Sequence, residues 1–590
     1  MGEYVQKQKK EKNKMKRWFK YIKPYLPYFI IGPLCMIVEV VGEVIMPKLL
    51  AEVINSANRG ELTKAGSIGI MGLMVLCAVV MMAGGVGGAY FGAKASVNFA
   101  ADLRSDVYSK VQKFSFANID KFSTGSLVTR LTNDVTQLQN FVNMMLRMAL
   151  RAPGMMIAAL ISAILMSPSL SLTFAVAIPV MLIVIGFIIK SGFPRFAKMQ
   201  EKVDGLNSTV QENVTNVRVV KSFVREDYEI EKFSQSNGEL KSAGMSAMKI
   251  MIFLQPIMTL FMNVTVLAVI LLGGRIVLKG NMEVGDLSRF ITYVTQILAS
   301  LVMVTFMLMT SSRALASAKR ITEVLDEKVD LNDDSAAFPE RKIENGEIRF
   351  ENVSFRYYKN SEEPVLDNIS LTIPAGATVG VIGSTGCGKT TLISMIPRLY
   401  DCDSGKVLID GIDVRDYSLV NLRDGIGMVL QKNTLFSGSI AENLRWGDET
   451  ASDEEMKKAA SYAQADKFVS SFTQGYDTLL DQGGTNVSGG QKQRLCIARA
   501  LLKKPKILIL DDSTSAVDTA TEAQIRKAFR EELGNSTKII IAQRITSVQE
   551  ADMIIVMNDG RITGVGTHDQ LLENNTEYLE IFNSQTGKGD

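Results

Sequence analysis

A glycine-rich segment at residues 383–390 has the residue types of a phosphate-binding loop. Its sequence is Gly383-Ser384-Thr385-Gly386-Cys387-Gly388-Lys389-Thr390, and Thr391 follows it. An apolar run at 377–382 precedes it and a helix-like run at 392–396 follows, which gives the order strand, turn, helix. Glycines allow backbone N–H groups to close around phosphate oxygens at a helix N-terminus. We therefore predict that residues 383–391 bind ATP, with the Lys389 amine on the β- and γ-phosphates and the Thr390 hydroxyl on Mg²⁺.

Two further segments carry groups suited to a nucleotide. Asp511 ends the buried-strand pattern at 507–510, where its carboxylate can reach Mg²⁺ through water. A helical run that ends at residue 502 is preceded by Ser488, Gly489, Gly490 and Gln491. A serine hydroxyl and glycine amides at the start of a helix form a second phosphate-binding surface. The aspartate and the loop together indicate a nucleotide site with its metal.

These segments lie in a C-terminal region where strands and helices alternate with glycine turns, which predicts an α/β domain over 343–590. The whole chain of 590 residues is too long for one core, and its long apolar runs lie before about residue 310. A net charge of +3 without an aromatic-interleaved basic stripe argues against a nucleic-acid partner. Five cysteines without C-x-x-C spacing argue against a disulfide framework and a zinc site.

Six apolar stretches reach the roughly 20 residues needed to cross about 30 Å of hydrocarbon. They lie near 27–47, 66–90, 145–167, 170–190, 250–273 and 287–309. The lysine-rich N-terminus predicts a cytoplasmic start, and an even number of crossings returns the chain to that side. We therefore predict a membrane α-helical bundle of six helices over 1–316, a linker over 317–342, and a cytoplasmic α/β P-loop ATPase domain over 343–590.

The connections expected on the inner side are long, charged and helical in pattern, at about 91–144 and 191–249. Each is long enough to extend the membrane helices beyond the bilayer and turn back. We expect the tips of these inner loops near 116–122 and 213–220, where each can touch a cytoplasmic partner.

Ionisable residues inside apolar spans are costly and are candidates for function. Glu39 and Glu43 lie four apart, on one face of the first helix. They either line a cavity as an acidic patch for cationic substrates or make hydrogen bonds to neighbouring helices. Arg147 and Arg151 are expected to snorkel at the inner interface, so we assign them no transport role. The methionine-rich last two spans suit either core packing or a flexible cavity of broad specificity.

The loop, the acid and the Ser488–Gln491 segment together resemble the ABC ATPase family, and six spans with long inner loops resemble the ABC exporter half-transporter. The resemblance implies that ATP is sandwiched between two ATPase domains, with the loop of one facing the signature segment 488–491 of the other. It implies that Tyr357 stacks on adenine and that Gln431 contacts Mg²⁺. It also implies that Ser515-Ala516-Val517-Asp518 links the two sites and that residues 481–486 face the partner's inner loops.

The sequence departs from the family at two catalytic positions. The family places glutamate after the magnesium aspartate, where this chain has Asp512, and histidine where this chain has Gln543. Aspartate is one methylene shorter, and a misplacement of about 1 Å can cost on the order of 10²-fold in rate. Glutamine can donate a hydrogen bond but cannot accept a proton as imidazole can. We therefore predict that this chain's own site binds ATP and hydrolyses it slowly or not at all.

An intact signature segment beside a degenerate site predicts a different partner chain that supplies the glutamate and the histidine. The arrangement resembles heterodimeric ABC exporters, many of them bacterial multidrug pumps. It implies efflux of amphipathic small molecules from a bacterial plasma membrane, with ATP and Mg²⁺ as cofactors. The alternatives are a lipid or peptide exporter subunit, an ATP-sensing membrane subunit that drives no transport, and a homodimer with two weak sites.

Overall fold

The computed structural model describes residues 17–61, 63–334, 336–359, 361–512 and 519–586. The chain forms two compact units. The helical unit holds the described part of Met1–Gln112 together with Gly125–Asp326, and the sheet unit holds Lys113–Thr124 together with the described part of Glu327–Asp590.

The first half of the chain is helical. Its helices are α1 (Leu26–Asn58), α2 (Lys64–Gln112), α3 (Phe116–Lys121), α4 (Thr124–Thr129), α5 (Val135–Met148), α6 (Arg151–Met166), α7 (Pro168–Thr215), α8 (Val217–Ser222), α9 (Glu226–Leu278) and α10 (Val284–Asp326). Within the described residues, six helical segments are long and apolar enough to cross a membrane. The predicted number of spans is therefore confirmed.

Helices α2, α7 and α9 are longer than a bilayer requires. Helix α2 has 49 residues, which corresponds to roughly 74 Å at the α-helical rise per residue, against about 30 Å of hydrocarbon. The short helices α3 and α8 lie at the turns between long helices, as the predicted loop tips require. Ser115 begins α3 with a capping box, because its hydroxyl accepts from the Asn118 N–H at 3.1 Å and Asn118 Oδ1 accepts from the Ser115 N–H at 3.2 Å.

Helix α10 extends beyond the predicted membrane domain into the expected linker. It continues to Asp326 through the first ten residues of the expected linker, and the two units divide after that residue. Asp134, which directly precedes α5, explains part of this extension. Its buried carboxylate accepts hydrogen bonds from the Ser317 hydroxyl at 2.8 Å and from Arg320 Nε at 2.8 Å, which anchors the final turns of α10 within the helical unit.

The sheet unit alternates strands with short helices. Its strands are β1 (Ile348–Phe355), β2 (Leu366–Ile373), β3 (Thr378–Gly383), β4 (Ser404–Ile409), β5 (Ile412–Asp413), β6 (Ile426–Val429), β7 (Gly438–Ser439), β8 (Leu479–Leu480), β9 (Ile507–Asp511), β10 (Thr537–Ile541), β11 (Met553–Asn558) and β12 (Arg561–Gly566). Its helices are α11 (Lys389–Met395), α12 (Leu419–Asp424), α13 (Ile440–Arg445), α14 (Asp453–Tyr462), α15 (Asp466–Ser471), α16 (Gly489–Leu502), α17 (Thr519–Glu532), α18 (His568–Asn574) and α19 (Thr576–Thr586).

The central sheet has the strand order β12-β11-β3-β10-β9-β6, and all neighbours are parallel except β11 and β12. A second sheet, β2-β1-β4-β5, is antiparallel. Alternate residues of β9 and β10 pack into separate apolar clusters, with Leu508 and Ile540 in one and Ile509 and Ile539 in the other. Strands buried on both faces read as continuous apolar runs, which is why β9 was visible in the sequence at 507–510.

Candidate functional site

The site lies at the carboxyl edge of the central sheet, where open α/β sheets bind ligands. Ile541 of β10 is paired with Val381 of β3 on one side and with Asp511 of β9 on the other. This register brings together the glycine-rich loop after β3, the acids at the end of β9, and the segment after β10 that carries Gln543. The three candidate segments are therefore neighbours in the fold.

The loop requires glycine at two of its positions. Gly388 has φ +97°, and a Cβ added to it would lie 2.9 Å from the Val365 carbonyl oxygen. A Cβ on Gly383 would lie 2.1 Å from the Met557 carbonyl oxygen. The backbone therefore passes too close to its neighbours for any other residue, and the loop shape is set by sterics.

Two side chains of the loop have different surroundings. Lys389 Nζ stays within the loop and donates to the carbonyl oxygens of Gly383 at 2.9 Å and Ser384 at 2.7 Å. Cys387 is only 3% exposed and packs into an apolar cluster. The cysteine therefore serves as a small core residue, and its backbone is the part that belongs to the nucleotide loop.

The oxygens expected to hold magnesium meet at Asp511. The Thr390 hydroxyl donates to Asp511 Oδ1 at 3.2 Å. Asp511 is 2% exposed, and its Oδ2 atom has no hydrogen-bond partner in the described part of the chain. Burial raises the pKa of this carboxyl, while the Thr390 hydrogen bond and Lys389 oppose the shift. Mg²⁺ prefers hard oxygen ligands, and the buried Asp511 carboxylate next to the Thr390 hydroxyl offers such ligands.

Gln431 lies close to the same edge of the sheet. It follows β6 by two residues, and Val429 of that strand is paired with Leu510, next to Asp511. Its side chain is exposed in the loop. The register therefore places Gln431 on the metal side of the site, as the family resemblance implies.

Tyr357 is positioned beside the glycine-rich loop by contacts of its hydroxyl and its ring. The hydroxyl lies 3.0 Å from the Thr391 hydroxyl. The ring meets Tyr400 edge to face, with centroids 5.2 Å apart. Tyr357 is still 43% exposed, so an aromatic face remains available to an adenine ring.

Tyr400 is a functional candidate that the sequence did not reveal. Its hydroxyl donates to Asp120 Oδ2 of α3 at 3.0 Å, and its ring centroid lies 6.0 Å from that of Phe116. Burial and the hydrogen bond to Asp120 raise the pKa of Tyr400. Since Tyr400 also touches Tyr357, aromatic contacts run within the sheet unit from the inner-loop tip α3 to the adenine candidate. No motif around Tyr400 signalled this.

The signature segment is ordered as a helix cap. The Ser488 hydroxyl accepts from the Gln491 N–H at 3.3 Å, and Gln491 Oε1 accepts from the Ser488 N–H at 2.9 Å. A Cβ added to Gly489 would meet nothing within 4 Å, so the first turn of α16 faces open space. Helix α16 has 14 residues, and its exposed N-terminus suits an anion.

The segment before the signature is also ordered, by Asn486. Its Oδ1 accepts from the Asp481 N–H at 3.1 Å, and its Nδ2 donates to the Leu479 carbonyl at 2.9 Å. Residues 515–518, expected to link the two nucleotide sites, lie outside the described residues.

The two residues that depart from the family pattern contact each other. Gln543 Nε2 donates to Asp512 Oδ2 at 2.7 Å. Asp512 has φ +47°, a conformation that aspartate tolerates better than most residues. Burial raises the pKa of the Asp512 carboxyl, while the Gln543 hydrogen bond and Lys389 oppose the shift. The carboxylate at the catalytic position is thus held by a neutral amide.

A second residue missed by the sequence holds the segment that carries Gln543. Gln585, near the end of α19, accepts from the Ile545 N–H at 2.8 Å and donates to the Gln543 carbonyl at 2.7 Å. This clamp fixes the backbone on both sides of Arg544. Gln585 lies in an ordinary polar stretch, so no sequence signal could have found it.

In the helical unit, the structure corrects our view of Arg151. The two acceptors are Glu39 and Glu43: Arg151 Nη2 donates to Glu39 Oε1 at 3.1 Å and to Glu43 Oε1 at 2.7 Å. The expectation that Arg151 only snorkels is wrong, because counting along one helix cannot show the carboxylates of its neighbour. The glutamates do share one face of α1, and Arg151 offsets one of their two charges.

Comparisons with known proteins agree with this geometry. Residues 29–301 match the family model for the ABC transporter transmembrane region, and residues 366–515 match the ABC transporter model. The uncharacterized ABC transporter ATP-binding protein YfiB of Bacillus subtilis is 36% identical over 575 residues, covering 97% of this chain and 99% of that protein. The chain belongs to the ABC transporter family.

Two further similarities describe its type. A fatty acid ABC transporter ATP-binding/permease protein of Mycobacterium bovis is 35% identical over 481 residues, covering 81% of this chain and 75% of that protein. A bacterial Atm1-family ABC exporter solved with ATP bound has the same fold, with a TM-score of 0.79, 24% identity, and coverage of 96% of this chain and 99% of that one. This ABC transporter therefore has the exporter fold, a six-helix membrane bundle fused to an α/β ABC ATPase domain.

The family assignment fixes the coarse biochemistry. The chain is a multi-pass membrane protein whose ABC ATPase domain implies ATP-driven transport. Exporters of this family work as dimers, and their ATPase domains bind ATP, typically with Mg²⁺. In this ABC transporter, the Thr390 hydroxyl and the Asp511 carboxylate lie together and would suit that metal, and Gln431 stays a predicted third contact.

Proposed function

We propose that this chain is one subunit of a heterodimeric ABC exporter, that its own nucleotide site retains ATP with little hydrolysis, and that its signature segment completes the partner's active site. The observation that carries the proposal is the contact between Asp512 and Gln543. Each residue replaces a catalytic one of the family pattern, and the two satisfy each other.

The contact weakens a catalytic role for either residue. A base must lie within hydrogen-bond reach of the water it activates. Asp512 is one methylene short of the glutamate and directs one oxygen to the Gln543 amide. Gln543 cannot accept a proton as imidazole can, and one of its two N–H donors is engaged by Asp512. Nothing in this pair hinders the binding of ATP by the loop 383–391, so a nucleotide can be held without rapid turnover.

The signature segment supports a second active site made with another chain. Its cap is complete, and the first turn of α16 faces open space. Two large apolar side chains near the tip of the second inner loop are exposed to solvent: Phe223 is 73% exposed and Val224 is 80% exposed. Large apolar side chains at such exposure are typical of an interface. We propose that the partner's ATPase domain covers this tip.

The proposed cycle follows from these parts. ATP at both interfaces would close the two ATPase domains, and the inner loops would pass that closure to the membrane helices. Mg²⁺ held by Thr390 and Asp511 would neutralise phosphate charge at this chain's site. Hydrolysis at the partner-completed site would reset the transporter.

We propose amphipathic small molecules as substrates, as in multidrug efflux. The support is a methionine-lined cavity in the helical unit, whose flexible and polarizable walls suit varied shapes. A lipid exporter is the second candidate, favoured by the similarity to a protein named as a fatty acid ABC transporter. An ATP-sensing subunit without transport remains the third.

The test begins with the chain in its native membrane. A tagged copy is purified in mild detergent, and the proteins that accompany it are identified. We expect a second, different half-transporter with glutamate and histidine at the catalytic positions, and far higher ATPase activity in the complex than in the isolated chain. Rapid turnover by the isolated chain that survives Asp512→Ala, with only copies of itself recovered, would refute the heterodimer.

A further inference from the structure

A cavity of about 360 Å³ lies in the helical unit among α1, α2, α6 and α10. Much of its wall is methionine, contributed by Met46, Met81, Met155 and Met303. Its polar lining includes Glu43, Arg151 and Gln296. A mostly apolar cavity with a few convergent polar groups is the usual form of a small-molecule site.

The charges beside this cavity do not balance. The Arg151 guanidinium forms salt bridges with two carboxylates, those of Glu39 and Glu43. Arginine keeps its proton in proteins, so the ionised triad carries one net negative charge. All three side chains are half-buried, with 19–26% of each exposed. An excess charge in an apolar segment is costly unless a partner compensates it.

The polar network around Glu43 is also incomplete. Gln296 Nε2 donates to the Glu43 carbonyl oxygen at 3.0 Å, which fixes the amide against α1. Gln296 Oε1 and Arg151 Nε are buried and have no hydrogen-bond partner among the residues that the structure describes. Buried polar atoms are rarely left unpaired, so atoms of this kind next to a cavity point to a ligand that changes the network.

We infer that this cavity binds amphipathic organic cations that carry a single positive charge, with Glu43 as the charged contact. Arg151 neutralises one of the two glutamates and thereby limits the charge that the site accepts. The methionine walls take the apolar body of the ligand. The inference deepens the proposed efflux function and rests on it. It disfavours carboxylate substrates such as fatty acids, because a second negative charge would face the triad.

The test uses two ions of nearly the same shape and opposite charge. Tetraphenylphosphonium and tetraphenylborate are titrated separately into the detergent-purified complex of this chain with its native partner, and the ATPase rate is followed. We expect half-maximal stimulation by the phosphonium at a concentration roughly tenfold or more below that of the borate, because one net charge decides the preference. This comparison needs no variant.

Substitutions then assign the preference to Glu43. Glu43→Gln keeps the side-chain volume and removes the charge, so the two ions should stimulate at similar concentrations. Glu43→Asp, which keeps the charge, should retain the preference for the cation. Glu52→Gln makes the same change in the same helix at an exposed position outside the cavity, and it should leave the preference unchanged.

The outcomes separate this inference from the proposed function. Equal stimulation of the wild-type complex by both ions, or a cation preference that survives Glu43→Gln, overturns the assignment and leaves efflux intact. If the phosphonium neither stimulates the complex nor is transported in proteoliposomes, the assignment is overturned as well. Efflux itself falls only if neutral amphiphiles also give neither stimulation nor transport.

Discussion

At the residue scale, the nucleotide site is defined by two acids that stand side by side and do different work. Asp511 presents a buried oxygen that has no hydrogen-bond partner among the described residues, beside Thr390, whereas Asp512 accepts a hydrogen bond from Gln543. The first arrangement suits a metal ligand. In the proposed function, the second holds the carboxylate at the glutamate position against an amide that cannot accept a proton, so we expect this site to bind its nucleotide and hydrolyse it slowly.

Restoring the family residues tests this view of Asp512. The double variant Asp512→Glu with Gln543→His should raise the steady-state ATPase of the isolated chain by on the order of 10²-fold, because it returns a base of full length and an imidazole. The rate is measured in proteoliposomes dense enough for copies to pair. Adding Ser488→Ala should abolish the gain. An unchanged rate in a folded double variant contradicts our account of the site.

Asp511 should destabilise the chain in the absence of metal. Its pKa is raised by burial, so the cost of its charge is full above the folded-state pKa and fades as pH falls towards the unfolded value. Asp511→Asn should therefore unfold at a higher temperature than the wild type near pH 8, with a smaller difference at acidic pH. The full chain in detergent is followed by thermal denaturation without Mg²⁺.

The same substitution should weaken Mg²⁺-dependent ATP binding, measured with a fluorescent ATP analogue. If Asp511→Asn is more stable than the wild type and also binds ATP with Mg²⁺ more weakly, the Asp511 carboxylate serves metal binding at a cost in stability. A variant that is less stable at every pH would instead indicate that Asp511 is a structural partner of Thr390.

At the element scale, the inner-loop tip α3 is fastened, within the sheet unit, by the hydrogen bond between Tyr400 and Asp120. Tyr400→Phe removes one hydrogen bond, worth about 1 kcal/mol, and keeps the ring contacts. We expect the complex to retain basal ATPase activity and to lose much of its stimulation by transported compounds. Tyr476→Phe is the matched control, since that hydroxyl bonds Asp466 at 2.7 Å away from α3. Equal effects of the two variants would remove the coupling role from Tyr400.

The terminal helix α19 acts on the site through Gln585. Gln585→Ala should loosen the segment 543–545 and lower affinity for ATP a few-fold, because two hydrogen bonds to its backbone are lost. Gln585→Glu keeps the acceptor for the Ile545 N–H and should have a smaller effect. Thr586→Ala is the control, since that hydroxyl donates within α19, to the Phe582 carbonyl. Affinity that is the same in all three variants argues against the clamp.

At the scale of the whole molecule, ABC exporters work as dimers, and the proposed function gives this chain's signature segment the productive nucleotide site. In the complex with its partner, Ser488→Ala should reduce the maximal ATPase rate at least tenfold, because the serine hydroxyl and the helix N-terminus meet the nucleotide of the productive site. The rate is compared with that of Ser461→Ala, an exposed serine elsewhere in the same unit. A complex that keeps full activity without Ser488 would favour the sensor over the pump.

The sequence alone determined what contiguous residues can encode. The loop 383–391 depends on glycines whose backbone has no space for a Cβ, the six spans depend on runs of apolar residues, and the caps at Ser115 and Ser488 depend on residues three apart. Both substitutions at 512 and 543 were also visible, since each falls inside a recognisable motif. Such features need no knowledge of the rest of the chain.

Only the tertiary structure decided which distant groups meet. The Asp512–Gln543 contact exists because β9 and β10 are parallel neighbours in one register, and a shift by one residue would separate the two side chains. Arg151 reaches the glutamates of α1 because two helices pack with those faces together, and Gln585 reaches β10's end because α19 folds back. Strand order and helix packing are collective results of burying many apolar side chains, so no local pattern carries them.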